Sequence, residues 1–172
     1  WSKHGVGVLS LWFKGNPAGF LEDPDGTITM SAGGDDIWNT ADQFRYAYKQ
    51  LSGAGSITAQ VLSVDNTDPW AKAGVMIRQT LDPGSKFAAV YITPGNGCRY
   101  QARLTPGSGA TSDTSVATTE QMAIRAPYWI KIERDAADNF NGYYSSDGVS
   151  WQAMSWNPQK ISMPPNVYIG LP

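Results

Sequence analysis

Apolar and polar positions alternate with a period of two along most of the chain, the signature of strands that lie between a core and solvent. The first such run covers residues 8–13 (Val8-Leu9-Ser10-Leu11-Trp12-Phe13) and breaks at Gly15-Asn16-Pro17. A short strand at 27–30 follows the turn Asp23-Pro24-Asp25-Gly26. Residues 44–51 alternate aromatic with polar side chains, and Ser52-Gly53-Ala54-Gly55 leads into 56–64, which predicts a hairpin. Residues 72–80, 86–93 and 98–104 follow one another across Asp82-Pro83-Gly84 and Pro94-Gly95-Asn96-Gly97, predicting three consecutive hairpin strands. Residues 128–134 form the clearest strand of the second half, 139–145 and 151–154 pair across Asp147-Gly148, and 166–170 is the last strand. A short helical turn is expected around 36–43, and the Gly-, Ser- and Thr-rich stretch 105–120 reads as a long exposed connection. Strands at this spacing without crossover helices predict an all-β, two-sheet antiparallel jelly-roll sandwich.

Composition supports that architecture and narrows the function classes. Charged residues make up 16% of the 172, against about a quarter in an ordinary globular chain. Long surface helices, which need Glu and Lys, are therefore not expected. The formal net charge is −2 and the basic residues are scattered, which argues against nucleic acid, where affinity comes from neutralised phosphates. No stretch approaches a membrane-spanning apolar helix, so membrane insertion is not expected. Cys98 is the only cysteine and reads as a small buried hydrophobe.

One series of residues is more specific. Asp36-Ile37-Trp38, Ala41-Asp42-Gln43-Phe44, the run Asp68-Pro69-Trp70-Ala71-Lys72-Ala73-Gly74-Val75-Met76-Ile77-Arg78, Thr93-Pro94-Gly95, and Ser146-Asp147-Gly148-Val149-Ser150-Trp151 form a recognisable set. It resembles the concanavalin A-like (laminin-G-like) jelly-roll modules of secreted or surface multidomain proteins of environmental bacteria, planctomycetes among them. The resemblance covers roughly residues 21–171. It implies an extracellular or cell-surface setting and a role in carbohydrate binding or adhesion, or beside hydrolase domains. On this reading residues 1–20 are an N-terminal strand and linker, the tail of a preceding domain. Residues 21–172 are the module, without the further strand that similar modules carry after the equivalent of Tyr168-Ile169-Gly170-Leu171. The β-prone segment 8–13 is then expected to fill that vacancy, in its own domain or by strand addition to a second copy.

Catalytic arrangements fit the sequence poorly. A retaining glycosidase needs two carboxylates about 5 Å apart, yet the glutamates are Glu22, Glu120 and Glu133, and the period-two neighbours of Glu133 are Lys131 and Asp135. His4 is the sole histidine, which leaves little for metal hydrolysis or a Ser-His-Asp arrangement. The expectation is a noncatalytic extracellular module that recognises a polysaccharide or glycan. The alternative is a structural or assembly domain of a surface protein or filament, with a glycoside hydrolase-related enzyme third. Seven Trp and eight Tyr supply faces on which a pyranose can stack. Trp70 stands out because it follows a polar loop, and Arg99, Gln101 and Arg103 share one strand face whose planar groups suit sugar hydroxyls. These four, with Tyr91 at the rim, are the candidate carbohydrate-binding residues. No cofactor is required. Calcium is a candidate ligand, with Asp35, Asp36, Asp65 and Asp68 as oxygen donors of the right type. Asp135 and Asp138 form a further cluster of that kind.

Overall fold

The computed structural model describes residues 19–172 and, by its backbone alone, the strand Trp12–Lys14. The chain is an all-β antiparallel sandwich of jelly-roll type. In chain order its strands are β1 (Trp12–Lys14), β2 (Phe20–Glu22), β3 (Ile28–Met30), β4 (Ile37–Trp38), β5 (Ala41–Asp42), β6 (Tyr46–Ser52), β7 (Gly55–Val61) and β8 (Ala73–Arg78). They continue with β9 (Phe87–Thr93), β10 (Gly97–Arg103), β11 (Thr111–Ser112), β12 (Tyr128–Arg134), β13 (Asn139–Ser145), β14 (Gln152–Ala153), β15 (Gln159–Lys160) and β16 (Asn166–Leu171). One sheet runs β1-β6-β16-β8-β9-β10-β11; the other runs β14-β13-β12-β7, with β15 also on β13.

The alternation explains the packing. Val75, Ile77, Val90, Ile92, Cys98, Tyr100, Val167 and Ile169 project from the seven-stranded sheet onto Ile57, Val61, Ile130, Ile132, Phe140 and Tyr144 of the other, and all are buried. Strands β9 and β10 are buried at every position, so they are covered on both sides. The second cover is chain 36–45: its Ile37 packs with Tyr46, Met76, Phe87, Ala89 and Tyr91 on the outer face of the seven-stranded sheet.

Two local expectations are corrected. Segments 44–51 and 56–64 do not pair as a hairpin, because β6 lies in the seven-stranded sheet and β7 in the other. Gly53, at φ +75°, turns a corner between the layers there. A corner of this kind and a hairpin turn use the same glycine-rich vocabulary, and pairing partners far along the chain decide between them. Residues 36–43 do not form a helical turn but the small β4–β5 ladder, with Ile37 opposite Asp42. The described helical elements fall instead in 105–120 and just beyond it: a 3₁₀ turn at Asp113–Ser115 and helix α1 (Thr119–Ala123). Helix α1 opens on a reciprocal capping box between Thr118 and Gln121.

The last strand is fully flanked: β16 pairs with β6 on one side and β8 on the other. Strand β1 pairs along the far side of β6 within the same chain, Trp12 opposite Tyr48 and Lys14 opposite Tyr46. The rest of the 8–13 segment lies outside the described residues.

Arg103 ties the outer layer to the sheet. It is fully buried, and its two terminal nitrogens donate to the two Asp42 carboxylate oxygens at 2.6 Å each. The same guanidinium donates to the carbonyls of Trp38 (2.9 Å), Asn39 (3.0 Å), Ser85 (3.0 Å) and Ser108 (2.9 Å). Arg78 Nη1 lies 3.4 Å from the same carboxylate. Removing Asp42 would leave two buried guanidinium groups without their shared counter-charge. Asp42→Ala is therefore expected to lower stability by about 3–5 kcal/mol, read from the denaturant midpoint. A loss below about 1 kcal/mol would show that the pair is dispensable.

The β13–β14 turn supplies a pH-dependent increment. Asp147 Oδ1 accepts from the Ser150 and Val149 amides at 2.7 and 2.8 Å and from the Ser145 hydroxyl at 2.8 Å. These donors hold its carboxyl well below the usual carboxylate range, the Ser150 amide contributing most. A carboxylate whose folded pKa is depressed stabilises above its unfolded pKa of about 4 and loses that stabilisation as pH falls toward the folded value. The stability gap between the native chain and Asp147→Ala should accordingly be full at pH 7 and shrink below about pH 4. A gap independent of pH would refute the assignment.

Candidate binding groove

The outer face of the seven-stranded sheet is only partly covered, and the uncovered part is a groove of about 570 Å³. One wall is the segment Ala32–Trp38 with Gln43–Arg45, the other is the Thr67–Lys72 loop, and Gln101, Ser112 and Thr114 line the remaining side.

Each boundary is fixed by bonds that can be traced to the sequence. The β4–β5 wall is held from beneath by Arg103, and the Asp42 amide donates to Pro83 O at 2.9 Å. The Trp70 loop is closed by Asp68, whose carboxylate accepts from the Trp70 amide at 2.7 Å. It is pinned to the β9–β10 turn, where the Gly95 amide and the Asn96 side chain both donate to Pro69 O at 2.9 Å. Lys72, with its side chain buried, forms a close ion pair with Asp36 and so links the two walls. Gly74 lets the sheet close beneath them, since a Cβ there would strike Val90 O and come within 2.9 Å of Tyr91 Cα.

The predicted residues are distributed as follows. Trp70 is 40% exposed and lines the groove. Arg99 lies over its indole, 5.4 Å from guanidinium carbon to ring centroid, so one ring face is taken. Arg99 is itself held by Asp113, Nε to Oδ1 at 2.9 Å, and by Thr114 Oγ1 at 3.0 Å. Burial raises the Asp113 carboxyl above the usual range against the opposing pull of Arg99. Gln101 lines the groove at 3% exposure, and its Oε1 is buried without a hydrogen-bond partner. Tyr91 is fully buried and its hydroxyl has no partner. Burial, then the Asp42 charge, pushes that hydroxyl well above its ordinary pKa. Arg103 belongs to the same strand face, but its donors are consumed by the β4–β5 wall and the neighbouring loops; it positions the groove rather than lining it.

Of the four carboxylates nominated for calcium, three share the groove. Asp35, Asp36 and Asp68 line the groove, with Asp36 engaged by Lys72 and by its neighbour Ile37 N at 2.7 Å; Asp65 is exposed in the loop before Asp68. Among the described residues no three His, Cys, Asp or Glu side chains converge as a metal set. In the other cluster, Asp135 caps its own turn through the Ala137 and Asn139 amides, and Asp138 is bound by Arg134. The glutamates are dispersed: Glu22 and Glu120 are exposed, and Glu133 faces Lys131 at 3.8 Å.

Sequence reasoning did not assign Asp42, Asp113 or Lys72 to the site, although they build its walls. Each is an ordinary polar residue in a turn-rich stretch, and its partner lies far along the chain, as Arg103 does for Asp42. Trp38 and Phe44 also line the groove, while several other aromatic side chains go to packing. Trp156 meets Tyr100 edge-on at 5.4 Å, and Lys131 covers Tyr143 and Trp151 on the opposite sheet at 4.3 and 5.2 Å. Trp129 packs against Gly148, where a Cβ would come within 2.9 Å of the indole.

Cys98 faces the core at 0% exposure, and burial pushes its thiol far above the ordinary range. A thiolate is the reactive form, so an aromatic disulfide reagent should leave Cys98 unmodified in the native chain and label it stoichiometrically in denaturant. Rapid native labelling would contradict this placement. No known family model matches this chain, and no curated protein matches it in sequence, so the groove's own geometry carries the functional argument.

Proposed function

We propose that this chain is a noncatalytic carbohydrate-binding module of the concanavalin A-like kind, working outside the cell or at its surface, with the groove on the outer face of the seven-stranded sheet as its binding site. The observation that carries the reading is the pairing of an exposed indole with an unsatisfied buried amide in one groove. Trp70 offers an apolar ring face at the edge, and Gln101 offers an unbonded Oε1 within. A pyranose has the complementary surface: an apolar face of axial C–H groups for the ring and hydroxyls for the amide.

The energetics agree with that occupant. An unpaired buried acceptor costs roughly 1–3 kcal/mol, and a sugar hydroxyl that reaches Gln101 recovers it. The pinned Trp70 loop presents its ring with little ordering left to lose on binding. Recognition of this type needs no cofactor. The glutamates are dispersed, Glu22 and Glu120 exposed and Glu133 beside Lys131, which favours binding over the paired-carboxylate chemistry of glycoside hydrolysis.

Trp70→Ala is expected to weaken binding of a recognised oligosaccharide by about 1–3 kcal/mol while leaving the melting temperature nearly unchanged. Isothermal titration of the native chain and the variant against ligands found on a glycan array provides the measurement. An unchanged affinity would remove Trp70 from the site, and silence across the array would remove carbohydrate recognition itself.

A further inference from the structure

We infer that the groove selects uncharged, hydroxyl-rich glycans and discriminates against acidic ones such as polyuronates; the inference rests on the carbohydrate reading and gives it a substrate class. Three observations lead there.

The first is the charge of the lining. Asp35, Asp36 and Asp68 face two cations, Arg45 and Lys72. Asp35 and Asp68 are exposed on opposite walls. They form none of the salt bridges found among the described residues.

The second is that the cations around the groove are already committed. Lys72 is taken by Asp36, Arg99 by Asp113, and Arg78 and Arg103 by Asp42. Arg45 is buried at 5% exposure and is itself engaged. One Arg45 nitrogen, Nη1, makes no hydrogen bond, but a carboxylate ligand that turned to any of the other four cations would have to displace its partner, and the displaced carboxylate would then stand beside it.

The third is the polarity of the orphan group. Gln101 Oε1 is an acceptor and requires a donor. A sugar hydroxyl supplies one, whereas an ionised uronate carboxyl offers acceptors only. The groove is therefore built to give and take hydrogen bonds with neutral hydroxyls, and its two exposed carboxylates repel an acidic chain.

A matched pair of ligands tests this on the full chain. Hexagalacturonate and its methyl ester share one backbone and differ in charge, and cellohexaose and xylohexaose add neutral chains of other geometry. Titration at low salt should show the neutral ligands bound and hexagalacturonate weaker than its ester by roughly tenfold, with the gap narrowing as salt screens it. Replacing both exposed carboxylates, Asp35→Asn with Asp68→Asn, should close most of that gap, the ratio of ester to acid affinity in the variant being the readout. The side-chain carbonyl introduced by Asp68→Asn can still accept from the Trp70 amide, so the loop keeps its closing bond. Gln101→Met should lower neutral binding several-fold, and the two exposed substitutions keep the test decisive even if that buried change impairs folding. Equal or tighter binding of hexagalacturonate would overturn the inference while leaving carbohydrate recognition standing. A neutral preference that survives the double substitution would overturn its electrostatic cause. Failure of every hexasaccharide in the set to bind would remove the carbohydrate reading and this inference with it.

Discussion

Arg103 carries a full charge in a place where water does not reach, and the outer layer of the molecule is arranged around satisfying it. Its guanidinium meets the Asp42 carboxylate fork to fork, the geometry in which a buried pair recovers the desolvation of both partners. Its remaining capacity goes to carbonyls of the β4–β5 ladder, the β8–β9 connection and the β10–β11 connection. A lysine in the same position could not organise those three loops, because its ammonium lacks the planar reach of five donors. The loops also bond one another, Gly107 N to Gly84 O at 2.8 Å and Ala110 N to Asn39 O at 2.8 Å. A single cation thus sets where the groove wall stands.

The groove follows from what that wall leaves uncovered. Tyr46, Met76, Phe87 and Tyr91 fill the space under the segment 36–45, and the sheet beyond them carries polar side chains that need other partners. Arg99 finds Asp113 and Thr114 on the 3₁₀ turn. Gln101, between them and the wall, finds none for its oxygen. Of the three polar side chains on this strand face, Arg99 and Arg103 have their charges met and Gln101 keeps an unbonded atom.

Local pattern was sufficient for most strands and insufficient for the layers. Residues such as Val75 and Ile77, or Ile130 and Ile132, announce their faces through strict alternation, and the β8–β9–β10 and β12–β13 ladders follow from the turns between them. The link Gly53-Ala54 carries no mark that distinguishes a hairpin from a crossing between sheets; the answer lies in β16, which occupies the edge of β6 that β7 would have taken. Helix α1 had a readable start in Thr118 and Gln121, obscured by the glycine- and serine-rich surroundings. The alternation of strand 97–103 correctly separated Arg99, Gln101 and Arg103 from Cys98, Tyr100 and Ala102. Which of the three arginine and glutamine side chains remains open to a ligand depends on Asp42 and Asp113, whose proximity only the fold creates.

Strand β16 is also an interior strand of its sheet, with Val167 opposite Leu51 and Ile169 opposite Ile77. A ribosome delivers it long after both of its neighbours. Until it emerges, β6 and β8 are separate pieces, each with an unpaired edge and an uncovered apolar face. The seven-stranded sheet cannot become continuous before Asn166–Leu171 is inserted between strands that end at Ser52 and Arg78. Closure of the sheet thus rests on the strand that comes last in the sequence, set between two strands from the first half of the chain.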